Sequence, residues 1–176
     1  TSTKSIIIYP VATFTAEDAC KDQEVVFTNT TFTPNSGDWN FGEGEGFVWN
    51  FGDGEVLASN EETVTHTYKE VGDYNVTLTV TKSGISKVAS NTVTVSEIPV
   101  AEFNYDSTEA LTDITFTATN AGDGANYTWN FGDDTEEVVV NSTEVTHQYA
   151  LPGEYTVTLT VTRNGCSSTA ERAIAV

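Results

Sequence analysis

Four sets of side chains in this sequence are able, by type and spacing, to do chemistry. His66 and His147 are its two histidines, and an imidazole serves as a general base or a zinc ligand. Asp53 with Glu55, and Asp133 with Asp134 and Glu136, gather carboxylates within a few positions, the kind of oxygen donor that Ca²⁺ takes. Cys20 and Cys166 are the two cysteines, and they do not form a Cys-x-x-Cys pair. Trp39 and Phe41 lie in a glycine-rich stretch, where exposed rings stack on sugars or anchor a protein partner. No Gly-x-Ser-x-Gly, His-Glu-x-x-His or phosphate-loop pattern accompanies them.

The elements that must position these residues come from an internal repeat. FVWNFGDGE from Phe47 returns as NYTWNFGDDTE from Asn126, and HTYKEVGDYNVTLTVT from His66 returns as HQYALPGEYTVTLTVT from His147. Upstream, PVATF from Pro10 matches PVAEF from Pro99, and VVFTN from Val25 matches ITFTA from Ile114. The offset is 89 in these upstream segments and 80 to 81 downstream, so the first copy carries about nine extra residues between its second and third strands. The histidines occupy equivalent places in two separate copies. One triad or one metal site cannot be assembled from them, so each is expected to be a half-buried structural residue bonded to backbone, and the chain is not expected to be an enzyme. The carboxylates lack a full calcium-loop spacing, which leaves calcium as the one cofactor open to them.

Within each copy the apolar period is two. Tyr74, Val76, Leu78 and Val80 alternate with Asn75 and threonines, and Tyr155, Val157, Leu159 and Val161 alternate with four threonines, as in strands with one buried face. Strand-like runs recur about every ten residues between Gly, Asn and Asp turns, which predicts an all-β chain of two immunoglobulin-like sandwiches in tandem, each of about seven strands. Asn164-Gly165 predicts a two-residue hairpin before the last strand, with Ser83-Gly84 as a looser equivalent. The expected organisation is a linker or extra strand over 1–9, one domain over 10–97 and a second over 98–176. The connection from Val95 to Val100 is short and not glycine-rich, which predicts restricted freedom between the domains.

Of the 176 residues, 7 are Lys or Arg and 26 are Asp or Glu, a net charge of -19. That balance argues against binding nucleic acid or an anionic membrane, both of which need clustered positive charge. No apolar run approaches the roughly 20 residues of a membrane-spanning helix. The chain begins at Thr1 and contains no Met, so a mature or excised piece of a longer protein is expected.

Trp49-Asn-Phe-Gly-Asp-Gly54, followed by His66, Tyr68, Gly72, Tyr74 and the VTLTV strand, resembles the PKD domain. The second copy resembles it equally through Trp129 to Asp133, His147, Tyr149, Pro152, Gly153 and Tyr155. Two positions depart from the pattern: Asn50 and Asn130 follow the Trp where Asp is common, and Asp134 stands where the turn's last glycine is expected, a residue that tolerates positive φ. On the residues themselves, Trp49 with Phe51 and Trp129 with Phe131 supply buried rings. Asp53 and Asp133 accept turn amides, and Tyr68 and Tyr149 anchor their hydroxyls to backbone as in a tyrosine corner.

Trp39-Asn-Phe41-Gly repeats the start of the motif ten residues early; the Trp49 copy is taken as the strand because its turn keeps the Asp. Trp39 and Phe41 then fall on a long loop, either exposed for binding or folded over the sandwich. Cys20 has no intradomain partner and lies in a turn at the end where the first domain exits, and Cys166 lies in a hairpin at the end where the second begins. An interdomain disulfide is therefore expected, two free thiols being the alternative. The resemblance implies a non-catalytic spacer or adhesion scaffold in a secreted or cell-surface bacterial protein. Its partners would be other modules of the same polypeptide and a surface protein or polysaccharide. A carbohydrate- or collagen-binding module working through Trp39 is the alternative.

Overall fold

The computed structural model of the chain describes residues 11–31, 41–120 and 122–176. The chain divides into two compact units, Thr1–Ser96 and Glu97–Val176. No helix among the described residues is long and apolar enough to cross a membrane.

Unit 1 is built from β1 (Phe14–Thr15), β2 (Ala19–Cys20), β3 (Glu24–Asn29), β4 (Gly46–Asn50), β5 (Val56–Ala58), β6 (Thr63–Thr67), β7 (Gly72–Lys82) and β8 (Ile85–Ser96). They form two sheets, in the orders β1-β3-β6 and β2-β8-β7-β4-β5. Unit 2 repeats the plan with β9 (Glu102–Tyr105), β10 (Ile114–Thr119), β11 (Asn126–Asn130), β12 (Val138–Val140), β13 (Glu144–His147), β14 (Glu154–Arg163) and β15 (Cys166–Ala175). Its sheets run β13-β10-β9 and β12-β11-β14-β15. Both units are immunoglobulin-like sandwiches, as the period-two pattern requires: Val76, Leu78 and Val80 are fully buried, and so are Val157, Leu159 and Val161.

Register places the large rings at each centre. Trp49 lies opposite Leu78, and Trp129 lies opposite Leu159. The ring of Phe27 meets Trp49 with centroids 5.8 Å apart, and Phe116 meets Trp129 at the same 5.8 Å, so each unit closes its own aromatic core. The strand carrying Trp49 is β4, the counterpart of β11. Both hairpins adopt the same two-residue turn. Asn164 and Gly165 have φ of 49° and 78°, and Ser83 and Gly84 have φ of 51° and 74°, the doubly left-handed geometry that Asn-Gly favours.

Unit 1 departs from the seven-strand expectation. The turn holding Cys20 contains a strand, β2, that brings the number among the described residues to eight and pairs parallel with the end of β8 through Ala19 opposite Val95 and Cys20 opposite Ser96. The Asp18 carboxylate just before it accepts the Thr94 amide at 2.9 Å. Just before β4, the Glu45 carboxylate accepts the amides of Gly42 at 3.0 Å and Ser83 at 2.6 Å and lies 3.2 Å from Lys82 Nζ. Those backbone N–H groups and the lysine hold the Glu45 carboxyl below the usual carboxylate range.

Candidate functional site

The histidines, the turn aspartates and the buried tyrosines converge on one corner, built once in each unit. In unit 1 it begins where β4 ends. The Asn50 side-chain carbonyl accepts the Gly52 amide at 2.9 Å, an Asx turn that reverses the strand with Gly52 at φ 86°. The reversal presents Asp53, whose Oδ1 accepts the Glu55 amide at 3.0 Å and whose Oδ2 lies 2.6 Å from His66 Nε2. His66 comes from β6, and its ring stacks on Phe51 with centroids 4.2 Å apart and meets Tyr68 edge-on at 4.7 Å. The buried Tyr68 hydroxyl donates to the Phe51 carbonyl at 2.9 Å. Tyr74 stacks on Tyr68 at 4.2 Å and donates its own hydroxyl to the Glu70 carbonyl at 2.8 Å.

Unit 2 reproduces each contact. Asn130 takes the Gly132 amide at 2.9 Å, and Asp133 takes the Thr135 amide and hydroxyl and faces His147 Nε2 at 2.8 Å. His147 stacks on Phe131 at 4.0 Å, and the Tyr149 hydroxyl donates to the Phe131 carbonyl at 3.0 Å. Asp134 has φ 64°, so it accepts the left-handed conformation that Gly54 takes in unit 1.

The electrostatics follow from these contacts. Burial pushes the Asp53 carboxyl up, but the Glu55 amide and the His66 imidazole outweigh it and hold the group below its ordinary value. For Asp133, burial is outweighed by the Thr135 hydroxyl and His147 in the same way. An ionised carboxylate is acceptor-only, so Nε2 carries the hydrogen in both pairs. Tyr68 and Tyr149 are pushed well above the usual phenol value, by burial first and then by the neighbouring aspartate charge, and therefore remain hydrogen-bond donors.

One expectation needs correction here. The histidines are bonded to aspartate carboxylates and not to backbone, because the turn aspartate has one oxygen for the turn amide and a second left for the imidazole. Both oxygens of Asp53 face protein donors, Glu55 Oε2 lies 3.6 Å from His66 Nδ1, and no group of three or more His, Cys, Asp or Glu among the described residues is placed to hold a metal.

Trp39 lies outside the described residues. Phe41 is half-buried against the unit 1 core, with its ring 5.0 Å from Phe47 and Lys82 Nζ 5.3 Å above it, so it is not a free loop aromatic. Tyr74, Tyr155 and Glu45 belong to the structure without having been singled out as site residues. The two tyrosines were visible as inward positions, but their stacking depends on a neighbouring strand.

Neither cysteine is free; both are disulfide-bonded. Each sits beside its own unit's end of the connecting segment. Cys20 is in register with Ser96, and Ser168, two residues after Cys166, donates its hydroxyl to the Pro99 carbonyl at 2.6 Å.

The pairing gives a pH test. A carboxyl held low in the folded state stabilises the fold above its unfolded value near 3.9 and loses that contribution as pH falls through the folded one. Asp133→Asn is therefore expected to destabilise unit 2 more at pH 7 than at pH 3, measured by urea midpoints; equal losses at both would remove the ionised pair from the account.

The profile of the PKD domain family matches residues 9–96 and again 96–176. Among solved structures, the PKD1 domain of Vibrio anguillarum Epp is 26% identical, covering 45% of this chain and 93% of its own, with a TM-score of 0.39. The fibronectin(III)-like modules of Clostridium thermocellum CbhA are 14% identical, covering 94% of this chain and 92% of their own, with a TM-score of 0.55.

Proposed function

From a chain that belongs to the PKD domain family through both of its halves, we propose a non-catalytic spacer and adhesion scaffold within a larger secreted or cell-surface protein. The observation that carries this reading is the fate of the chemistry-bearing side chains. In both units the His, Asp and Tyr are spent on holding the same corner, with Nε2, both aspartate oxygens and the hydroxyl all engaged inside the fold. A general base or nucleophile needs an atom turned to substrate, and these particular atoms are each held by a protein partner. The disulfide favours an oxidising compartment, and a net charge of -19 keeps such a module soluble and away from anionic surfaces. Its partners are the other modules of its polypeptide and a protein or polysaccharide at the surface.

Tryptophan-fluorescence titration and pull-down against a panel of insoluble polysaccharides and collagen tests this. The scaffold is expected to show no saturable quenching that depends on Trp39. Saturable binding that is abolished by Trp39→Ala would replace it with a ligand-binding module.

A further inference from the structure

Among the described residues, each sheet of unit 2 ends on a strand that no further strand covers: β9 is the outer strand of one and β15 of the other. Register shows which of their backbone groups are free. Gly153 and Val176 exchange both amide bonds, and bonding alternates along an antiparallel ladder. The even positions of β15 therefore bond to β14, and the odd ones, Thr169, Glu171 and Ala173 among them, turn their N–H and C=O outward. On β9 the Asp106 amide bonds to the Thr115 carbonyl, and the same alternation turns the backbone of Phe103 and Tyr105 outward. Between the two free edges runs an open groove of about 300 Å³, with Ala101, Phe103 and Ala170 in its lining.

We infer that this groove takes an extended peptide strand from a partner protein, paired edge to edge with β15 and carrying basic residues among small apolar ones. The main chain supplies the pairing, since an outer strand with free amides is a template for one more. Unit 1 shows the equivalent edge in use: β2 adds to the end of β8 as a parallel strand, and Asp18 takes the Thr94 amide. In unit 2 the position of Asp18 is held by Ser107, whose hydroxyl accepts the Glu109 amide at 3.2 Å instead, so the β15 edge stays open. The alanines at 101 and 170 leave room above Phe103 for a side chain of about valine size. Charge selects the basic residues. Glu102 and Glu171 stand exposed beside the groove, while the Arg172 guanidinium is held over the Tyr105 ring, 5.0 Å from its centre. A second copy of the chain is a poor occupant, because it brings a net charge of -19 against the same charge.

The groove rests on the scaffold reading for its role, as the place where a protein partner attaches, but it is read at β15 amides and not at Trp39, so either can fail alone. The probe is an end-blocked peptide of about six residues that alternates lysine and valine. Amide hydrogen exchange in the whole chain is expected to slow about tenfold at Thr169, Glu171 and Ala173 when the peptide stands at about ten times its Kd. The same lysines on glycine spacers, or glutamate in place of lysine, should leave those amides exchanging as before. Thr169→Pro removes an outward N–H that β14 does not use, so the fold should persist by circular dichroism while the protection at Glu171 and Ala173 is lost. If that variant is unfolded, Glu171→Lys replaces it, keeping the backbone donor and weakening the peptide about tenfold through like charge. No protection at about 1 mM peptide, or protection that survives the folded variant, would overturn the site. A concentration-dependent dimer in sedimentation that the same variant abolishes would overturn the peptide as occupant in favour of a second copy.

Discussion

Trp129→Ala unfolds unit 2 and leaves unit 1 folded. The indole is completely buried, with Phe103 at 5.2 Å edge-on, Phe116 at 5.8 Å and Phe131 stacked at 6.3 Å. Truncating such a ring costs about 3–5 kcal/mol, and a unit of this size has only on the order of 4–12 kcal/mol in total at about 0.05–0.15 kcal/mol per residue. Unit 1 has a separate core around Trp49, so its transition should survive. Melting in dithiothreitol, followed by circular dichroism and the fluorescence of the two remaining tryptophans, Trp39 and Trp49, should show one cooperative transition lost and one retained. Loss of both together would mean that the cores are not independent. Trp129→Phe is the informative control. The buried Trp129 Nε1 has no hydrogen-bond acceptor among the described residues, so phenylalanine keeps much of the ring and discards a polar group with no partner there.

The second large effect is at a single hydrogen. Gly132 has φ 75°, and a Cβ added there would stand 2.5 Å from the Thr156 carbonyl oxygen and 2.9 Å from its nitrogen. Both atoms belong to the β14 backbone, which cannot retreat without breaking its ladders to β11 and β15. Gly132→Ala combines this clash with the left-handed strain of about 1–2 kcal/mol and is expected to cost more than about 3 kcal/mol. Gly54→Ala separates the two terms. It sits at φ 102° with nothing within 4 Å of the added carbon, so it should lose only the strain. Urea midpoints of the two variants measure the difference, and equal losses would show that the approach of Thr156 is not what demands glycine.

The sequence made some of this legible because the relevant forces are local or periodic. Alternation along Tyr74 to Thr81 is imposed by burial of one sheet face, so it survives in the residue order, and Asn164-Gly165 encodes its turn in two positions. The Tyr68 anchor was likewise readable, since the corner is built from neighbours in a short motif. The imidazole's partner was not. Asp53, in the turn after β4, and His66, on β6, are 13 residues apart, and no periodicity records that a turn side chain reaches across to another strand. β2 escaped notice for a different reason: two residues are too few to show alternation, and the strand exists because its partner β8 is there to receive it. Phe41 reads the same on an exposed loop or against Phe47; Glu45 and its bonds to Gly42 and Ser83 decide between them.

A strand at the margin of a sheet is a template on which foreign chains can nucleate fibrils. Over its final residues β8 refuses that role, because Asp18 seals the Thr94 amide and Ala19 and Cys20 cover the positions beyond it. In an assembly where many copies crowd together on one surface, that small acidic latch keeps neighbouring molecules from knitting into a common sheet.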